Sequence, residues 1–110
     1  MAIDKSYLEK FIKTTEFGAY GASLFIGKDD KISADKGAVD NMRRELNKIN
    51  MKATVVIGEG EMDEAPMLHI GEKVGNKSGP EFDIAVDPLE GTTFTSKGLP
   101  NAFSVLAVAE

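Results

Sequence analysis

The run Ile84-Ala85-Val86 leads directly into Asp87-Pro88-Leu89-Glu90-Gly91-Thr92, so a short apolar strand delivers two carboxylates, a glycine and a hydroxyl to its own end. Two acids three positions apart around a proline repel each other unless something positive lies between them. At about 4 Å, two like charges cost roughly 4 kcal/mol at an effective dielectric near 20. The stretch therefore reads as an address for a metal ion and a phosphate rather than as a folding signal. A second apolar run, Thr54-Val55-Val56-Ile57, is β-branched and the best strand in the chain. It ends in Gly58-Glu59-Gly60-Glu61-Met62-Asp63-Glu64-Ala65-Pro66, where four acids fall within six positions and glycines permit backbone geometry that a side chain would forbid. Counted from Glu59, the sixth position is Glu64 and the twelfth Ile70, where an EF-hand requires glycine and glutamate, so a calcium loop of that type is excluded.

Composition narrows the chemistry. A chain of 110 residues fits one small domain with one core. Thirteen basic against eighteen acidic residues give a net charge of −5, which argues against general affinity for nucleic acid or an anionic membrane. Without cysteine there is no disulfide, thiolate nucleophile or cysteine-ligated zinc. The N-terminus lacks a signal-peptide core and no run reaches the roughly 18 apolar residues of a membrane span, so a cytoplasmic location is expected.

Before the first strand the pattern is helical. Leu8, Phe11, Ile12, Ala19, Ala22 and Ile26 recur at helical spacing after a Ser6-x-x-Glu9 capping box, predicting a helix over about 5–26. Gly18 and Gly21 weaken it by up to about 1 kcal/mol each and suit a helix that another helix approaches closely. A second helix is predicted over about 34–48, with Ala38, Val39, Met42, Leu46 and Ile49 inward and Asp40 paired with Arg44 outside. Asp35 shares the inward stripe, either as a cap at the positive helix end or as a ligand. His69, the one histidine, reads as structural among apolar neighbours, and the methionines as core filler. Met67–Ile70 is expected to be a short strand or turn, Thr93–Asn101 a loop or short helical turn, and Ala102–Ala109 another buried strand. An apolar strand this close to Glu110 predicts association through an exposed edge, with further polypeptide or with a partner.

Collected, the carboxylates of Asp35, Glu59, Asp87 and Glu90 come from separate elements. Oxygen donors without histidine or cysteine favour Mg²⁺ or Mn²⁺ over zinc.

The Asp87-Pro-Leu-Glu-Gly-Thr92 motif resembles the signature of the lithium-sensitive, metal-dependent phosphomonoesterases, which include inositol monophosphatases and fructose-1,6-bisphosphatases. Four further segments are similar to class II, bacterial-type fructose-1,6-bisphosphatases: Asp30-Lys31 with Ala34-Asp35, Val55–Glu61, Asp63–Leu68 and Ile70–Gly75. Asp29, Ile32 and Lys36 depart from that pattern, standing where glycine, asparagine and glycine are usual. The resemblance implies an α+β fold, with N-terminal helices packed on a mixed sheet containing the Thr54, Asp83 and Ala102 strands. It implies that residues 1–110 are the N-terminal, metal-binding portion of a longer sugar-phosphatase domain, whose later part supplies another glutamate ligand and most sugar-phosphate contacts.

It also implies roles. Asp35 and Glu59 would hold one metal, Asp87 and Glu90 a second, and Glu90, Gly91 and Thr92 would contact substrate. Thr92 would orient the attacking water, with Asp63 and Lys31 at catalytic positions. The implied reaction is hydrolysis of the 1-phosphate of fructose 1,6-bisphosphate to fructose 6-phosphate, a gluconeogenic step, in an enzyme that is homo-oligomeric or joined to its C-terminal portion. Two alternatives are the same chemistry on sedoheptulose bisphosphate or an inositol phosphate, and a non-catalytic structural or metal-binding piece of a larger assembly.

Overall fold

A computed structural model describes residues 3–58 and 68–110. Helix α1 spans Lys5–Ser23 and α2 Lys31–Leu46; strands β1 (Lys52–Ile57), β2 (Lys73–Val74) and β3 (Glu81–Glu90) follow, then a short helix α3 (Thr92–Ser96) and β4 (Phe103–Ala109). The strands form one mixed sheet in the order β2-β1-β3-β4. Only β1 and β3 run parallel, and β2 and β4 flank them antiparallel. This is the expected α+β architecture, with helices packed on a mixed sheet.

Both long helices start on an aspartate. Asp4 accepts a hydrogen bond from the Ser6 amide at 2.8 Å, so the cap lies two residues before the predicted Ser6 box. Ser6 is already inside the first turn, and the carboxylate offers the free amides a charged acceptor. Asp30 caps α2 by accepting from Ser33 N at 3.0 Å and from Ser33 Oγ at 2.7 Å. Arg43 and Arg44 lie in the last turn of α2, where positive charge complements the helix dipole. On the outside of α2, Asp40 pairs with Lys36 at 2.7 Å rather than with Arg44, which instead donates to Asn41 Oδ1.

The inward face of α1 is the main departure from expectation. Its buried residues are Thr14, Gly18, Gly21 and Ala22, whereas Leu8, Ile12, Ala19 and Ile26 are exposed. Two glycines explain the choice. A Cβ on Gly21 would run into the Gly37 carbonyl, with its carbon 2.7 Å away, and a Cβ on Gly37 would lie 2.9 Å from the Gly21 carbonyl carbon. The helices thus touch backbone to backbone, which no larger side chain permits, and Asn41 Nδ2 donates across the crossing to Phe17 O at 3.0 Å.

The predicted inner face of α2 holds: Ala38, Val39, Met42, Leu46 and Ile49 are all buried. All but Ala38 pack with Met51, Ala53, Val55, Leu68, Phe82, Ile84 and Val86 into the principal core, while Ala38 joins Ala22, Ala34 and Leu89 in a second cluster. Tyr7 and Phe11 of α1 meet Phe82 edge-on at 5.3 and 6.2 Å. The helices cover one face of the sheet only. On the other face Val56, Phe103 and Val105 are exposed, as is Ile57 at the end of β1, and β4 alternates between exposed and half-buried residues. The prediction of a buried final strand is therefore wrong: β4 is an edge strand whose outer face has no layer over it among the described residues. Among those residues, no helix is long and apolar enough to cross a membrane.

Candidate active site

The strand preceding the acidic motif does not end before it. β3 continues through Asp87 to Glu90, and the motif is built into a β-bulge instead of a turn at the strand's mouth. Asp87 pairs with Val105 and Glu90 with Phe103, so three steps along β3 oppose two along β4. One extra residue changes the parity. In a regular strand, positions three apart point to opposite faces, but here Asp87 and Glu90 lie opposite Val105 and Phe103, which share the exposed face. Pro88, with no amide to donate, falls at the interruption, and it is buried with Leu89 toward the helices.

The consequence is a neighbouring pair of carboxyl groups. A side-chain hydrogen bond with Asp87, and then the charge on Asp87, raise Glu90 above the usual carboxylate range. Two carboxyl groups held this close make an oxygen-donor pair that a divalent cation would satisfy.

The next residues turn the chain sharply. Gly91 sits at φ 88°, a left-handed conformation, and starts α3. Thr92 opens that helix and donates through Oγ1 to Leu89 O at 3.2 Å, which fixes the hydroxyl and leaves its lone pairs to accept.

The start of α2 is brought to the same end of the molecule. Gly27 N donates to Thr95 O at 3.0 Å, Asp29 N to Ser96 O at 2.7 Å, and Lys97 Nζ lies 3.2 Å from Asp29 Oδ1. Ala34 and Ala38 pack on Leu89, the residue between Pro88 and Glu90. Asp35, half-buried in the first turns of α2, therefore belongs to the helix end that abuts the bulge; the cap of that helix is Asp30 and not Asp35. Lys31, the first residue of α2, is exposed at the same end. β1 approaches from the other side: its parallel register with β3 ends at Ile57 opposite Ala85, two residues before Asp87.

Glu59 and Asp63, assigned to metal and catalytic roles, lie outside the described residues, as do Glu61 and Glu64. Among the described residues no three Asp, Glu or His side chains come together as a metal cage. The donor chemistry of Asp87 and Glu90, a paired set of hard oxygens, fits Mg²⁺ or Mn²⁺. Three half-buried or buried charged residues were not singled out from sequence: Arg43 and Glu72, and Glu45. His69 is structural as expected, its Nδ1 3.2 Å from Glu72.

A family model described as bacterial fructose-1,6-bisphosphatase, glpX-encoded, matches residues 5–110. Over 101 residues the chain is 52% identical to "Fructose-1,6-bisphosphatase 1 class 2" of Escherichia coli K12, a match covering 92% of this chain and 30% of that protein. It is equally similar to a "Fructose-1,6-bisphosphatase class 2" of Shigella flexneri. The chain thus spans about 30% of the length of these relatives. Among solved structures, an extragenic suppressor from Pyrococcus furiosus superposes with a TM-score of 0.63 at 22% identity, covering 96% of this chain and 40% of that one, a likeness of fold. With the matched region running over nearly its whole length, the chain belongs to the glpX-encoded bacterial fructose-1,6-bisphosphatase family.

Proposed function

We propose that this chain is the metal-binding portion of a cytoplasmic phosphomonoesterase that hydrolyses the 1-phosphate of fructose 1,6-bisphosphate with Mg²⁺ or Mn²⁺. The observation that carries the reading is the hydrogen-bonded Asp87–Glu90 pair on the β3 bulge, in a chain of this family. Asp87 and Glu90 hold one cation, and Asp35 with Glu59 a second. Bound Mg²⁺ or Mn²⁺ supplies positive charge to the phosphoryl oxygens and acidifies a water at neutral pH.

The chain's own groups do the rest. The Thr92 hydroxyl, already held by Leu89 O, accepts a hydrogen bond from the attacking water and aims its oxygen at phosphorus. The bond between phosphorus and the C1 oxygen breaks as the new one forms, and the proton given up by the water ends on the sugar oxygen. Gly91, with no side chain, lets the phosphate approach the backbone at the start of α3. Lys31 offers an ammonium to the phosphoryl group and Asp63 a carboxylate for proton transfer. The open face of the sheet, with Phe103 and Val105 exposed, is where the further polypeptide found in the longer relatives, or a second copy, packs.

The test is phosphate release by the polypeptide its gene encodes, with Mg²⁺ and Mn²⁺ titrated separately, from fructose 1,6-bisphosphate, sedoheptulose 1,7-bisphosphate and an inositol monophosphate. Metal-dependent release is expected from the first, and Asp87→Ala or Glu90→Ala is expected to abolish it. Near-normal turnover in either variant refutes the assignment, and preference for another substrate refutes the specificity.

A further inference from the structure

Helix α3 carries Thr92 at its start and is too short to hold itself. It has five residues, and its N-cap, Gly91, has no side chain with which to cap. Its placement comes from the other end. Thr95 O and Ser96 O, where a helix runs short of amides of its own, accept from Gly27 N at 3.0 Å and Asp29 N at 2.7 Å. Both donors belong to the connection between α1 and α2, which continues directly into the Asp30 cap and Lys31. The start of α2, with Lys31 and Asp35, is thereby tied to the helix that presents the Thr92 hydroxyl.

Aiming those two amides takes left-handed backbone at both donors, with φ at 71° for Gly27 and 54° for Asp29. Glycine adopts that conformation freely, whereas aspartate adopts it under strain, although less than most residues. A relaxed Asp29 would turn its amide away from Ser96 O. Its carboxylate opposes that relaxation: Oδ1 lies 3.2 Å from Nζ of Lys97, the residue that ends α3. The pair is open to water, with side chains 77% and 52% exposed, and such a pair is weak. A weak pair suffices here, because it works against the strain of a single residue.

We propose that Asp29 and Lys97 are positioning residues for Thr92. They touch neither metal nor substrate; they keep the end of α3 on the α1–α2 connection, so that the hydroxyl at its start holds one place relative to Lys31 and Asp35. The inference rests on the role proposed for Thr92 in aiming the attacking water.

In the full gene product, kcat and KM for fructose 1,6-bisphosphate and amide exchange at Gly27 and Asp29 are compared for wild type, Asp29→Asn, Lys97→Gln, the double variant and Lys97→Arg. Asparagine tolerates left-handed backbone, so Asp29→Asn removes the charge and keeps the turn. Each single variant is expected to lower kcat by roughly two- to fivefold, the shift in population that an exposed ion pair can hold, with KM nearly unchanged and exchange faster at both amides. The double variant should lose no more than either single one, and Lys97→Arg, which keeps the charge, should stay near wild type. Raising the ionic strength to about 1 M, where the Debye length is about 3 Å, should close the gap in kcat between wild type and the two single variants. Lys48→Gln, which breaks the 2.9 Å pair with Glu45 at the far end of α2, is the control and should move neither kcat nor the two amides. Wild-type kcat in Asp29→Asn and Lys97→Gln, losses that add in the double variant, or a gap that persists in salt overturns the proposal and leaves the reaction standing. An enzyme that releases no phosphate from any sugar bisphosphate refutes the reaction instead, and exchange then decides: faster exchange in both variants keeps the tie between α3 and α2, and unchanged exchange overturns that as well.

Discussion

Replacing Gly21 by alanine sets two known effects against each other. Alanine is the better helix former by about 1 kcal/mol, so an isolated α1 would gain. In the folded chain the new methyl group meets backbone: the Gly37 carbonyl carbon at 2.7 Å, its oxygen closer still, and Asn41 Nδ2 at 2.9 Å. Carbon atoms prefer about 3.5–4.0 Å, so α1 and α2 must part by roughly 1 Å, and no rotamer change relieves a clash with a carbonyl. Overpacking of this kind costs about 1–3 kcal/mol, occasionally more; two backbone atoms at fault put it at the upper end. The expected net loss is about 2 kcal/mol after the helix gain is subtracted. Gly18→Ala is the internal comparison, because its methyl meets only side chains, Met42 Cγ and Ser104 Oγ, each at 2.7 Å. Both can rotate away, and the loss should be smaller, within about 1 kcal/mol. Urea denaturation followed by far-ultraviolet circular dichroism measures both. A Gly21→Ala chain as stable as wild type, or less affected than Gly18→Ala, would show that the helices do not cross backbone to backbone.

Leu89→Ala removes the buried spacer that sits against Ala34 and Ala38, and should cost about 2–5 kcal/mol in the same denaturation assay; an unchanged midpoint would mean that the bulge is not anchored to α2. Acid should loosen both helix starts. Hydrogen bonds from Ser6 and Ser33 hold Asp4 and Asp30 below the ordinary carboxylate value, so their capping is fully present above that value and is lost as pH falls through the lower folded one. Asp30→Asn, which caps without a charge, is expected to flatten the acid dependence of helicity for α2, and an identical acid profile would exclude the cap as its source.

What the sequence disclosed depended on how far each signal was local. The α2 stripe was legible because Ala38, Val39, Met42, Leu46 and Ile49 meet a sheet at ordinary packing distance, where size and apolarity coincide with burial. α1 broke that rule. Its crossing with α2 selects the smallest residues, so hydrophobicity pointed to Leu8 and Ile12 while the buried face is Thr14, Gly18, Gly21 and Ala22; only the two glycines, read as a close approach, signalled the true contact. β4 looked buried since its residues are apolar on both sides, but burial depends on what lies over the sheet, which no local pattern encodes. The Glu72–Arg43 pair joins residues 29 positions apart and left no trace in spacing.

The acidic motif shows how a short peptide can encode geometry that the alternation of a strand forbids. Asp and Glu three apart would face opposite sides of a regular β3. Each residue between and after them removes one obstacle. Pro88 cannot supply the ladder hydrogen bond, so pairing with β4 is interrupted where the extra residue must fit. Leu89 then drives that extra residue inward by packing on Ala34 and Ala38, which leaves Glu90 to follow Asp87 outward. Gly91 takes the left-handed turn that a β-carbon would strain, and the chain passes into α3 with Thr92 beside the pair. The same Leu89 contact carries the start of α2 to the bulge, so one apolar side chain both spaces the two carboxylates and recruits the helix that bears Asp35. A Glu90 raised in proton affinity by the nearness of Asp87 is the expected consequence of that construction. Under the proposed metal assignment it also sets a pH sense: as pH falls through the raised Glu90 value, a proton would compete with the divalent ion for the same oxygens, and metal affinity is expected to decline with it.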